Sequence, residues 1–265
     1  MHGYVIRTQW LTPTMVRVVL GGGQLRRLTR ADATDAYVNL AFAPHGESWG
    51  VFDPAAVTRS RPRHEWPARR RYTVRHWDEP AGEMTIDFVV HGDDGVAGRW
   101  AGSAAPGDVL VLEGAAGGYR PDPAADWHLF VGDESAVPAV AASLAALPDG
   151  VPAVVRLVCD GPGHEVELAT KAAVDVRWLH RAAVDLPGEL LLEALQGLVF
   201  LRGSVHAFVH GEAEEIRGVR RNLLLERAVP RGAMSCSPYW RRTMTDEAWR
   251  QVKADFLAAM QADVA

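Results

Sequence analysis

Residues 120–126 read RPDPAAD, and the sequence changes its period on either side of them. Two prolines set among aspartates and alanines suit a linker between domains. Upstream, short runs at residues 4–10, 15–20, 37–42, 71–77, 84–90 and 109–113 have strand character. Several alternate apolar and polar residues, as in Thr85-Ile86-Asp87-Phe88, the two-residue period of a half-buried strand. Gly21-Gly22-Gly23, Pro80-Ala81-Gly82 and Pro106-Gly107-Asp108 punctuate them as turns. Six short strands without a long helix predict a closed or nearly closed antiparallel barrel of Greek-key type over residues 1–122. Residues 43–70, rich in Pro, Trp and Arg, read as a long loop, which in a compact domain is usually functional or mobile.

Downstream, strands at 127–131, 153–159, 174–180 and 205–210 alternate with helices at 135–147, 187–198 and 212–227. This alternation predicts a parallel sheet covered by helices, a nucleotide-binding type of α/β domain over 123–265. In the 212–227 helix, Glu212, Glu214 and Glu215 lie at the start and Arg220, Arg221 and Arg227 near the end, an order that complements the helix dipole. A last helix is expected at 246–263, with Thr245 as N-cap and Trp249, Val252, Phe256, Ala259 and Met260 as its apolar stripe.

Composition narrows the classes. The chain has 265 residues, 48% hydrophobic and 23% charged, so it can bury a real core. No run of 18 apolar residues occurs, which argues against a membrane span. The N-terminal MHGYVIRTQWL alternates like a strand and lacks the parts of a signal peptide, so a cytoplasmic location is expected. Cys159 and Cys236 are too few for an iron–sulfur cluster and are read as unpaired thiols. Residues 59–75 hold seven arginines against one acid, Glu65. This local cluster is either an anion-holding surface or a solvated one, and it does not make the broadly basic domain that nucleic acid requires. His206 and His210, four apart on a strand, lack the further ligands of a zinc site. No metal site is expected.

Five segments carry candidate chemistry. Arg70-Arg71-Tyr72-Thr73-Val74-Arg75 is a strand with one aromatic residue. His91–Ala101, HGDDGVAGRWA, is a glycine-rich turn into a helix start, where backbone N–H groups can meet a phosphate. Val131–Val140, VGDESAVPAV, leaves the carboxyl end of a parallel strand, where such sheets bind nucleotides; it equally fits a tight strand–helix turn. Phe208-Val209-His210-Gly211-Glu212 is a second such edge, and Ser237-Pro238-Tyr239-Trp240-Arg241-Arg242 precedes the final helix.

Taken in this order, from about residue 16 to 249, the segments resemble the siderophore-interacting protein family. That family comprises FAD-binding ferric-siderophore reductases, distant relatives of ferredoxin–NADP reductases. The resemblance implies that Tyr72 lies against the flavin ring and Thr73 near its reactive nitrogen, the two positions nearest the chemistry. It places Arg70 at the phosphate or ribityl region, with Val74 and Asp87 among the cofactor contacts. His91, Gly92, Gly95, Val96, Ala97 and Trp100 would hold the FAD pyrophosphate and adenine. Gly132, Asp133, Glu134, Ser135 and Glu212 would face NADH or NADPH. Arg241 and Arg242 would meet an anionic ferric siderophore, helped by a basic rim from the Arg59–Arg75 cluster. Three departures stand out. Gly95-Val96-Ala97-Gly98 replaces a pattern with a hydroxyl, Asn39 stands where a basic residue is common in the third strand, and Thr243 stands where glycine is common. The implied activity is FAD-dependent reduction of a ferric siderophore by NAD(P)H. The alternatives are a ferredoxin-fed reductase, a flavin-dependent electron donor to a protein partner, or a ferric-chelate binding protein without catalysis.

Overall fold

The computed structural model describes residues 1–22, 24–44, 47, 49–91, 95–183 and 187–264. The chain divides into two compact units, Met1–Arg120 and Pro121–Ala265. The boundary falls inside the proline-rich stretch that marks the change of period.

In the first unit β1 (His2–Thr12), β2 (Met15–Gly21), β3 (Tyr37–Phe42), β4 (Ala68–Asp78), β5 (Glu83–Val89) and β6 (Val109–Ala116) close an antiparallel barrel in the order β1-β2-β5-β4-β3-β6. Alternation decides which side chains fill it. Val18 and Leu20, Leu40, Met84, Ile86 and Phe88, and Leu110 and Leu112 are fully buried in one cluster, each contributing about 1.5–3 kcal/mol for the larger side chains. Arg17, Thr85 and Asp87 take the intervening positions on the outer wall. The β4–β5 ladder slips between Val74 and His76, a bulge that inserts Arg75 and turns the strand.

The 43–70 stretch is not one long loop. It contains α1 (Pro54–Ser60), and β4 begins already at Ala68. The helix starts because Asp53 accepts a hydrogen bond from the Ala55 N–H at 2.9 Å and Pro54 presets the first turn. After β5 the chain enters α2 (Val96–Ser103).

The second unit is a parallel sheet in the order β11-β10-β7-β8-β9. Its strands are β7 (Trp127–Asp133), β8 (Pro152–Cys159), β9 (Ala173–His180), β10 (Val205–Glu212) and β11 (Met234–Trp240), interleaved with α3 (Val137–Ala146), α4 (Leu190–Gln196) and α5 (Ala213–Arg221). α5 runs on into one wide turn, Asn222–Glu226. β7 is buried along its whole length, as expected for a strand covered on both faces. α6 (Asp246–Ala262) closes the chain, capped by Thr245 Oγ1, which accepts from the Ala248 N–H. Trp249, Phe256 and Met260 bury the expected stripe against Ala213. No helix among the described residues is long and apolar enough to cross a membrane. Cys159 and Cys236 are free thiols, and burial pushes their pKa values up to about 11 and about 12.

Candidate functional site

The Arg-x-Tyr-Thr segment lies on β4. β4 pairs with β3 from Tyr37–Thr73 to Phe42–Ala68. Its pairing with β5 starts only at Val74–Ile86, while β5 pairs with β2 on its other side from Leu20–Met84 to Met15–Val89. Among the described residues, the β4–β5 ladder does not extend to Arg70, Arg71, Tyr72 and Thr73. Tyr72, half-buried, tilts against Phe88 with ring centroids 4.4 Å apart. Phe88 and Phe42 both lie within 6 Å of the Trp100 ring, at 5.8 and 5.9 Å. Thr73 is buried, and the Val74 N–H is spent on Ala36 O at 2.7 Å. Arg70 is half-buried and donates to the Arg69 carbonyl at 3.0 Å.

Among the described residues, the start of α2 carries no side-chain cap. Gly95 is its N-cap, without a side-chain hydrogen bond, and no acid lies in the first turn. The first N–H groups thus lack the usual internal partner, which is the arrangement that binds phosphate. Gly98 lets the helix lie close to the strand it follows, since a Cβ there would stand 3.1 Å from Val89 O. An aromatic ring on β4 and a glycine-rich helix start suit a flat ring joined to a pyrophosphate, so these residues fit FAD. His91 is exposed beside them; Gly92 lies outside the described residues.

Asp87 sits elsewhere. It is buried on the outer wall with both oxygens held by Arg17, at 2.7 and 2.8 Å. Asn39 is half-buried on β3 between Arg71 and Glu113. The Arg59–Arg75 cluster is dispersed: Arg61 pairs with Glu65, Arg69 with Glu113, and Arg71 lies over Tyr37.

In the second unit Gly132, Asp133, Glu134 and Ser135 stand at the carboxyl end of β7, beside Glu212 at the end of β10. Asp133, 1% exposed, binds four donors. Its Oδ1 accepts from the Ser135 N–H and hydroxyl, and its Oδ2 from the Glu212 N–H and Trp240 Nε1. Glu212 caps α5 through the N–H groups of Glu214 and Glu215 and also accepts from the Arg242 N–H at 3.0 Å. Glu134 holds Arg181 through two hydrogen bonds. Arg241 pairs with Glu214 at 2.7 Å, and Arg242 with Glu215 at 2.8 Å. The two arginines read as anion contacts thus already carry carboxylate partners. Thr243 adopts a left-handed backbone, φ 64°, which accounts for glycine suiting that position.

Glu215 was not singled out from the sequence. It is buried, its Oε2 has no partner among the described residues, and burial, reinforced by Asp133, pushes its carboxyl up to about 7. In sequence it is one of three acids at a helix start, with nothing to mark it as the buried one. A carboxyl raised in the folded state costs stability as pH climbs from its unfolded value toward 7, and the cost is complete above 7. Urea unfolding at pH 5 and pH 8 should therefore show a larger loss in wild type than in Glu215→Gln. Equal losses would refute the raised carboxyl.

A closed six-stranded barrel followed by a five-stranded parallel sheet is the frame of a flavin-dependent oxidoreductase with a ferredoxin-reductase-like fold. Residues 4–119 match the siderophore-interacting FAD-binding domain, and residues 125–243 match the siderophore-interacting protein family. The chain belongs to the siderophore-interacting protein family. It is 40% identical to an uncharacterised protein of Mycobacterium tuberculosis over 98% of this chain and 96% of that one. It is 31% identical to the ferric vibriobactin reductase ViuB of Vibrio cholerae, over 93% and 91% of the two chains. The crystal structure of a siderophore utilization protein from T. fusca superposes with a TM-score of 0.77 at 35% identity, covering 93% of this chain and 94% of that one.

Proposed function

We propose that this protein is an FAD-dependent reductase of ferric siderophores that draws its electrons from NADH or NADPH. The observation that carries the reading is the Tyr72–Phe88–Trp100 aromatic cluster on β4, β5 and α2, with the glycine-started α2 after β5. Likeness to ferric vibriobactin reductase supports the substrate class. Bound FAD would supply acceptance of a hydride and delivery of single electrons. Tyr72 would cover the ring, Thr73 would hydrogen-bond at its edge, and Arg70 with the first N–H groups of α2 would neutralise the pyrophosphate. Siderophore oxygens hold ferric iron far better than the softer ferrous ion, so one-electron reduction loosens the chelate. Electron transfer of this kind requires no general base from the chain.

The carboxyl edge of the parallel sheet is the place for the nicotinamide cofactor. There Asp133 and Glu212 already take helix-start N–H groups. Those donors are closed to a pyrophosphate, and recognition would rest on the other groups of that edge.

The test is the visible spectrum of the purified protein without oxygen. Flavin bands should bleach with NADH or NADPH and return on adding a ferric hydroxamate. Tyr72→Ala should weaken FAD binding about tenfold or more, read as flavin lost on dilution. Bands bleached by reduced ferredoxin and by neither nucleotide would move the donor to ferredoxin. A protein that takes up no flavin would end the reading.

A further inference from the structure

The outer wall of the barrel carries a cleft that the flavin cradle does not use. It has a volume of about 390 Å3 and is lined by Arg7, Thr8 and Gln9 of β1, Arg17 and Val19 of β2, Thr85 of β5, and Arg75 and His76 of β4. The ladders set these residues side by side, Gln9 opposite Arg17, Arg7 opposite Val19, Val19 opposite Thr85, and His76 opposite Thr85. Among the described residues, three arginines and a histidine line it, and no carboxylate does.

Two of the arginines are balanced from outside the lining. Arg7 pairs with Glu83 at 2.8 Å, and Arg17 with Asp87. Arg75 is the odd charge. The β4 bulge places it in the cleft, and its Nε is buried with no hydrogen-bond partner. Burial depresses its pKa first of all, Asp87 pulls it back, and Arg17 adds to the depression. A guanidinium on a half-buried side chain whose Nε is out of water without an acceptor, beside hydroxyl and amide donors, is costly unless something negative completes it. Asp87 is committed to Arg17 through both oxygens and can complete it only at a distance.

We propose that this cleft is a binding site for a small oxyanion, a phosphate or carboxylate group, held by Arg75 with Arg17, Arg7 and His76. Its volume lies in the range of small-molecule sites, and guanidinium groups match such oxyanions through paired hydrogen bonds. The site is separate from the Arg70–Thr73 segment and does not depend on the proposed reductase activity.

Calorimetric titration of the flavin-loaded protein tests it, with inorganic phosphate in one arm and citrate in the other, at constant ionic strength set with chloride. Saturable binding at one site per chain is expected, and the tighter arm tells a phosphate ligand from a carboxylate one. Arg75→Gln should weaken it about tenfold or more with the flavin spectrum unchanged. Should that variant fail to fold, Arg7→Gln, whose side chain is 61% exposed, should weaken binding as a rim contact. No saturable heat with either anion, equal affinity in the variants, or binding seen only after flavin is removed would each overturn the proposal.

Discussion

Gly132→Ala should lower the folding stability of the second unit by about 3 kcal/mol or more. The methyl group would arrive 2.3 Å from the carbonyl oxygen of His210 and 2.6 Å from Ala136 Cβ. The first obstacle is backbone, on a strand hydrogen-bonded to β7 itself, so no side chain can swing aside. Relief requires β7 and β10 to part at the end where α3 begins, which breaks ladder bonds. Gly98→Ala in α2 is the internal comparison. Its closest contact is 3.1 Å, a matter of a few tenths of an ångström, and it should cost visibly less. Urea unfolding followed by near-ultraviolet circular dichroism reads both. A Gly132→Ala protein as stable as wild type would mean that β7 and β10 are not so closely packed.

Asp133→Ala should cost about 3 kcal/mol by leaving buried donors unmet. Four donors on β10, on β11 and at the start of α3 converge on this one carboxylate. Asp133→Asn is the sharper experiment. An amide keeps one oxygen, but its NH2 must then face one of the two donor pairs. Asparagine should therefore rescue little, although its volume is nearly the same. A loss below about 1 kcal/mol in Asp133→Asn would show that the site tolerates donor against donor. Indole emission offers a second reading, since Trp240 Nε1 donates to this carboxylate.

In the sequence both residues show as a Gly-Asp pair at a strand end and as nicotinamide-side contacts implied by the resemblance, without their packing and hydrogen-bond partners. The strand alternation of Thr85-Ile86-Asp87-Phe88, the break at RPDPAAD and the acid-to-base order from Glu212 to Arg227 carry the architecture, because they follow from local periods. What pairs with what does not. Arg241 and Arg242 read as free cations next to a site, yet their partners Glu214 and Glu215 lie 27 residues back. Asp87 lies on the outer wall, on the face opposite Phe88, and only the β2–β5 register brings Arg17 to it. β11 was missed as a strand because Pro238 interrupts MSCSPYW; an edge position, with β10 alone beside it, tolerates the proline. α1 was missed although Asp53-Pro54 is a proper helix start, because the arginines and prolines around it dominate the composition.

The two cysteines have a bearing on life in air. A thiol pKa of about 11 at Cys159 leaves a thiolate fraction of about one in ten thousand at neutral pH, and Cys236 less. Thiolate is the form that peroxide oxidises and that soft metal ions seek. Flavins that meet oxygen generate peroxide, and ferrous iron beside peroxide is corrosive to exposed sulfur. By holding both sulfurs in the protonated form, and Cys159 out of water as well, the second unit withholds the groups most open to damage or to metal capture.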